Sequence, residues 1–154
     1  MKALRIKSAS YDNRKKSLTI ETAHGSLELP YGKLMLKPKS GNLITDIYVD
    51  KELDRRCVIY VLQSGKLDSV PVEAFLEFNS DPEYLREVEL YKLTIKASEL
   101  MAKSAISKRA ICRQMGTSLS QLYRLLDTKN YSKSLDQMFK LLTILGAKVD
   151  IKVA

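Results

Sequence analysis

The stretch from Lys108 to Asp127, KRAICRQMGTSLSQLYRLLD, constrains this chain more than any other, because it spells a helix, a one-glycine corner and a second helix. Apolar residues fall at Ile111, Cys112, Met115, Leu119, Leu122 and Leu125, the inner face of two short helices packed across a corner. Gly116 stands where the first helix has to stop, since a left-handed backbone there carries no Cβ penalty. Ser118 opens the second helix with Gln121 three residues on, the spacing of a Ser-x-x-Gln capping box.

The second helix turns Ser118, Ser120, Gln121, Tyr123 and Arg124 outward, a short, polar, hydrogen-bonding set of the kind a helix in a major groove needs. Residues 107–146 resemble the helix-turn-helix of the Cro and phage-repressor class, the Xre-type regulators. The resemblance includes Cys112 four positions before Gly116, Leu122 and Leu125 after it, Asn130, Ser134-Leu135-Asp136 and the final LLTILG. It departs at Thr117, where the family prefers a branched apolar residue, and at Leu126, where it usually has a charged one.

The resemblance implies that 118–126 is a recognition helix acting on double-stranded DNA. Arg124 and Gln121 are then the candidates for guanine and adenine edges. Gln121 could instead be occupied by the cap of Ser118, which favours Arg124. Ser118, Ser120 and Tyr123 would meet phosphate or flanking bases, and Lys108, Arg109, Arg113, Lys129 and Lys133 would hold the DNA backbone. Two structural alternatives stand beside these roles: Tyr123 covering the helix pair, and Arg113 pairing with Asp136.

Charge follows the same division. Residues 1–80 carry 13 Lys+Arg against 10 Asp+Glu, residues 81–106 carry 4 against 5, and residues 107–154 carry 9 against 3. Most of the net charge of +8 thus lies on the last third, where it would attract phosphate and steer encounter. A merely solubilising surface would not explain that concentration.

Upstream, the chain reads as β-rich. Leu4–Lys7 and Leu18–Thr22 alternate, Ala23-His24-Gly25-Ser26 turns into Leu27–Leu29 as a hairpin, and a strand lies around Leu43–Val49. Cys57–Leu62 reads as a central buried strand, Lys66–Val70 as another, and Pro71 opens a short helix with Val72, Phe75 and Leu76. Phe78–Glu83 reads as the boundary, with Asp81 as N-cap and Pro82 at the first helical position of a long helix over 81–103. That helix carries two apolar stripes: Tyr84, Val88, Tyr91 and Ile95, and separately Leu90, Leu93, Ala97, Leu100 and Met101. Ser134 and Gln137 repeat the capping spacing before a helix over 134–145, and the alternating tail 148–153 reads as a short strand seeking a partner.

The expected fold is α+β: a small antiparallel β-rich domain over 1–78, then an all-α repressor-like helix-turn-helix domain over 79–154 with a short C-terminal strand. Catalytic chemistry is not indicated. His24 reads as an exposed turn residue, and no glycine-rich phosphate loop, G-x-S-x-G elbow or metal-ligand spacing occurs. Asp46, Asp50, Glu52 and Asp54 are interspersed with Lys51, Arg55 and Arg56 and read as a solvated hairpin end. Cys57 and Cys112 read as buried thiols. With no cofactor, no metal, no apolar run long enough for a membrane and no apolar signal core, a cytoplasmic location is expected. The leading expectation is a homodimeric transcription regulator. The other is an antitoxin or adaptor whose β domain holds a partner protein such as a toxin.

Overall fold

The structure, a computed structural model, describes residues 3–154. Over these residues it is mixed α+β, with two antiparallel three-stranded sheets, five α-helices and one short 3-10 helix. Two compact units divide between Leu85 and Arg86, just beyond the Phe78–Glu83 stretch that reads as the boundary in the sequence.

In the first unit, β1 (Ser8–Asp12), β2 (Ser17–Thr22) and β3 (Gly25–Pro30) form one sheet; β4 (Ile44–Val49), β5 (Cys57–Leu62) and β6 (Leu67–Pro71) form the other. The β2–β3 hairpin turns in two residues, since Thr22 pairs with Gly25 and Gly25 takes φ of +94°. The sheets meet along β1 and β4. There Asn13 Nδ2 donates to the Ile44 carbonyl at 2.9 Å, and the Tyr11 hydroxyl donates to the Thr45 carbonyl at 3.0 Å. Both sheets turn one face to a single core containing Leu18, Ile20, Leu29, Val58, Tyr60 and Leu62. Helix α1 (Val72–Phe78) covers it with Val72, Phe75 and Leu76, and Asn79 ties its end to β3 by donating to the Glu28 carbonyl at 2.8 Å.

Two expectations fail here. The alternation over Leu4–Lys7 forms no strand; Ile6 is buried, and its N–H donates to the Arg55 carbonyl at 2.8 Å outside any ladder. The first strand is instead SASYD, whose small and polar residues carry a weak β signal but whose Ala9 and Tyr11 pack on the core. Strand β5 is central in its sheet, yet only Val58, Tyr60 and Leu62 are buried; Cys57, Ile59 and Val61 lie half-buried on the opposite face. Burial, then the carboxylates of Glu73 and Asp50, push the Cys57 thiol above its ordinary value, so it stays protonated. The acidic segment 50–54 does lie at a hairpin end, between β4 and β5.

Helix α2 (Pro82–Lys103) opens as its caps dictate: the Tyr84 N–H donates to Asp81 Oδ1 at 2.9 Å. His24 lies exposed in the β2–β3 turn, as its sequence position implies, and it has partners there. Its Nδ1 lies 2.8 Å from Asp81 Oδ2 and its Nε2 3.2 Å from Glu83 Oε2. These two carboxylates flank opposite ring nitrogens, and among the described residues no group of His, Cys, Asp and Glu converges to hold a metal ion. Desolvation raises the Asp81 pKa, but the N–H of Tyr84 and the ring of His24 outweigh it and hold the carboxyl below its ordinary 3.8. A depressed carboxyl stabilises the fold in full above 3.8, and that contribution is lost as pH falls through the lower folded value. Asp81→Ala should therefore cost the first unit about 1 kcal/mol near neutrality. It should also flatten acid unfolding below the ordinary carboxyl value, a result that denaturant titrations at two pH values would check.

The second unit gathers α2 with α3 (Lys108–Met115), α4 (Leu119–Leu126) and α5 (Leu135–Ile144) around Leu90, Ala97, Ile111, Leu122, Met138 and Leu141. The tail 148–153 forms no strand. Val149 packs on this core, while Ile151 and Val153 stand exposed. Alternation sets which side chains share a face, but only a partner edge makes a strand, and none is paired here.

Candidate nucleic-acid interface

The corner between α3 and α4 is built by local capping. Ser107 caps α3, its Oγ accepting from the Ala110 N–H at 3.1 Å. Gly116 ends α3 in the left-handed region at φ 67°, ψ 37°. Its N–H donates to the Arg113 carbonyl at 3.2 Å, and the Thr117 N–H donates to the Cys112 carbonyl at 3.0 Å, the paired bonds of a Schellman stop. From α5, Lys140 Nζ donates to the Met115 carbonyl at 3.0 Å, satisfying a further helix-end acceptor. Ser118 then caps α4, accepting from the Gln121 N–H at 3.2 Å.

Ile111, Cys112, Met115, Leu122 and Leu125 are buried across the corner as their spacing demands. Leu119 is not, with 41% of its surface exposed. A helical side chain leans toward the N-terminus, so at the first position of α4 it hangs over the incoming chain instead of facing the core.

On the outer side Ser120, Gln121, Tyr123 and Arg124 are all exposed. Only half of the capping box forms: Ser118 receives the Gln121 N–H, but the Gln121 side chain makes no hydrogen bond among the described residues. Its amide is left available, removing the reason to rank it below Arg124. The Arg124 guanidinium is also without a hydrogen bond or ion pair among the described residues, while its backbone carbonyl accepts from Asn130 Nδ2 at 3.1 Å. Tyr123 does not cover the helix pair. It stands outside with Lys108 Nζ 5.2 Å from its ring centroid, a cation–π contact that joins the two helices. Arg113 is exposed and forms no ion pair with Asp136.

The electrostatics of this face are one-sided. Residues 107–126 contain Lys108, Arg109, Arg113 and Arg124 and no Asp or Glu. Neither α3 nor α4 has an acidic residue in its first turn, and α3 begins with two cations. Placing Lys108 and Arg109 at the positive end of a helix dipole opposes helix stability by some tenths of a kcal/mol each. An anion bound there would reverse the sign of that effect.

Lys129 is exposed in the loop after α4, where its N–H donates to Asp127 Oδ1 at 2.9 Å and its ammonium remains free among the described residues. Lys133 departs from the expected role. It is buried, and its ammonium donates to Thr94 Oγ1 at 2.7 Å, to the Leu125 carbonyl at 2.8 Å and to the Asp127 carbonyl at 2.7 Å. All three N–H donors are occupied, so Lys133 has none to offer a phosphate. It ties the end of α4 to α2, where the Thr94 hydroxyl itself donates to the Leu90 carbonyl at 2.7 Å. Desolvation lowers its pKa, with Asp127 opposing more weakly. The sequence signal for this role is slight: helix-end carbonyls need donors, and Lys133, Asn130 and Lys140 are the side chains that reach them.

Among the described residues no helix is long and apolar enough to cross a membrane. No protein-family model, curated protein or solved structure matches this chain.

Proposed function

We propose that this protein is a sequence-specific, DNA-binding transcription regulator of the cytoplasm, a binding protein and not an enzyme, that places α4 in the major groove. The observation that carries the reading is the acid-free outer face of residues 107–126, with Gln121 and Arg124 exposed and uncommitted beside Ser120 and Tyr123. Two side chains with bidentate hydrogen-bonding geometry one turn apart suit adjacent base edges, while Lys108, Arg109, Arg113 and Lys129 suit phosphates. Selection of bound duplexes from a random pool tests this. The expected result is an enriched motif made of two inverted half-sites about one helical turn apart; a pool that stays random would refute it.

The half-site geometry requires two copies. On α2, Val88, Tyr91 and Ile95 fall at spacings of three and four residues, and none of them belongs to either core. Tyr91 is exposed and Val88 and Ile95 are half-buried, an apolar seam suited to a second copy. The protein should sediment as a dimer at micromolar concentration, and Ile95→Asp should shift it to a single chain and weaken specific binding. A wild-type single chain that binds its site tightly would overturn the dimer.

A second reading has one observation in its favour. Tyr48 lies opposite Ile59, and Val61 opposite Leu67, on the outer face of β4–β5–β6, and both Tyr48 and Leu67 are exposed. An apolar sheet face of this kind suits an antitoxin or adaptor that holds a partner protein. A neighbouring gene for a small basic nuclease-like protein, whose product binds the wild type but not Tyr48→Asp, would favour it.

A further inference from the structure

The first unit concentrates cations at one end, and the topology shows how. The β1–β2 turn carries Arg14, Lys15 and Lys16. Because Ser17 pairs with Pro30, the chain leaving β3 emerges beside that turn, and the Tyr31 N–H donates to the Lys16 carbonyl at 2.8 Å. After the 3-10 turn Tyr31–Lys33, Leu34 and Leu36 turn toward the core, which throws Lys33, Met35 and Lys37 outward. The Tyr60 hydroxyl holds this segment by donating to the Leu36 carbonyl at 2.7 Å. The β5–β6 turn, with Lys66, reaches the same end, since the Ser64 N–H donates to Asn42 Oδ1 at 2.9 Å and Asn13 bonds Ile44.

All six cations are exposed, and among the described residues none forms an ion pair with a carboxylate. Three acids near this end are committed to backbone, while Glu77 lines a cavity with Lys33. Asp12 accepts from the N–H groups of Arg14 and Lys15, which hold its carboxyl below the ordinary value, and Asp46 and Asp68 each accept a neighbouring N–H. Among the described residues, the ion pairs of the unit lie elsewhere, at Arg5–Asp54 and Arg56–Glu73. The unit is therefore polarised, with a cationic crown contributed by three separate loops.

We propose that this crown is a second nucleic-acid surface, one that grips the phosphate backbone without reading bases. Protein interfaces are depleted in Lys, and this surface is mostly Lys and Arg, with Glu77 and Phe78 sharing a cavity with Lys33 alone of the six cations. Unpaired Lys and Arg on turns are what sequence-independent phosphate contact requires. The inference shares with the reading above only the class of partner, and the two can fail separately.

The test measures binding of the full chain to a random-sequence duplex as a function of salt. In the variant Lys15→Gln/Lys16→Gln/Lys33→Gln, the slope of log K against log salt should become shallower by about 2 to 3, since each phosphate contact contributes about 0.9. Arg109→Gln/Lys129→Gln measures the α3–α4 face in parallel. A triple variant that keeps the wild-type slope overturns the crown, whatever the double variant does. A shallower slope in the triple with no change in the double upholds the crown and removes the α4 reading. If the triple loses its thermal transition, Lys33→Gln/Lys37→Gln replaces it, with a slope change of about 2. Poly-glutamate competing as well as duplex, charge for charge, would show an acidic-protein site and overturn the assignment to nucleic acid.

Discussion

Replacing Lys133 with Met should destabilise the second unit by about 2–4 kcal/mol, the largest effect expected of any exposed-looking cation in the sequence. The methionine keeps the length of the side chain but removes every donor. The Leu125 and Asp127 carbonyls and the Thr94 hydroxyl oxygen then lose their partner inside the fold. A buried acceptor stripped of its donor costs about 1–3 kcal/mol, and two helix-end carbonyls are stripped at once. The pH dependence has a definite sign. Burial lowers the Lys133 pKa below 10.5, so the unfolded chain holds that proton more tightly. From this group, stability rises as pH climbs from the folded value toward 10.5, and Lys133→Met should remove that rise. Chemical unfolding at neutral and alkaline pH measures both. DNA affinity well below the melting temperature should be retained. A stable Lys133→Met protein with weakened DNA binding would return Lys133 to the backbone-contact role.

Arg124→Ala should lower binding to the selected site by about 1–3 kcal/mol while leaving random duplex nearly unaffected. The exposed guanidinium makes no hydrogen bond or ion pair among the described residues, so its loss should remove an intermolecular interaction and little stability. Gln121→Ala should behave alike, because its amide is not bonded to Ser118 or to any other described residue. Lys129→Ala should weaken all duplexes by similar factors and reduce the salt slope by about 1. Fluorescence anisotropy on the selected site and on random DNA separates the two classes. Equal losses on both DNAs for Arg124→Ala would deny it a base-reading role.

Much of the helical architecture is readable one residue type at a time, because its determinants act over three or four residues. Ser118 and Ser134 each accept from an N–H three positions on, and Gly116 takes the left-handed turn that a Cβ disfavours. Asp81 and Pro82 start α2, and Gly25 closes the β2–β3 hairpin. The apolar spacing of α3 and α4 likewise predicts five of the six inner residues of the corner.

What escapes the sequence depends on groups far apart along the chain. Lys133 meets Thr94 across 39 positions and His24 meets Asp81 across 57, distances at which composition carries no register. The tail alternates like a strand yet has no paired edge, and SASYD, weak in β propensity, becomes β1 because β2 lies beside it and the core receives Ala9 and Tyr11. Charge shows the same division. Sequence alone determined that residues 107–126 bear cations and no acids, because that is a matter of count. Only the tertiary structure decided which cations face solvent: it buries Lys133 under helix-end carbonyls and gathers the lysines of three loops at one end of the first unit, because hydrogen-bond donors and strand register act across space and not along the chain.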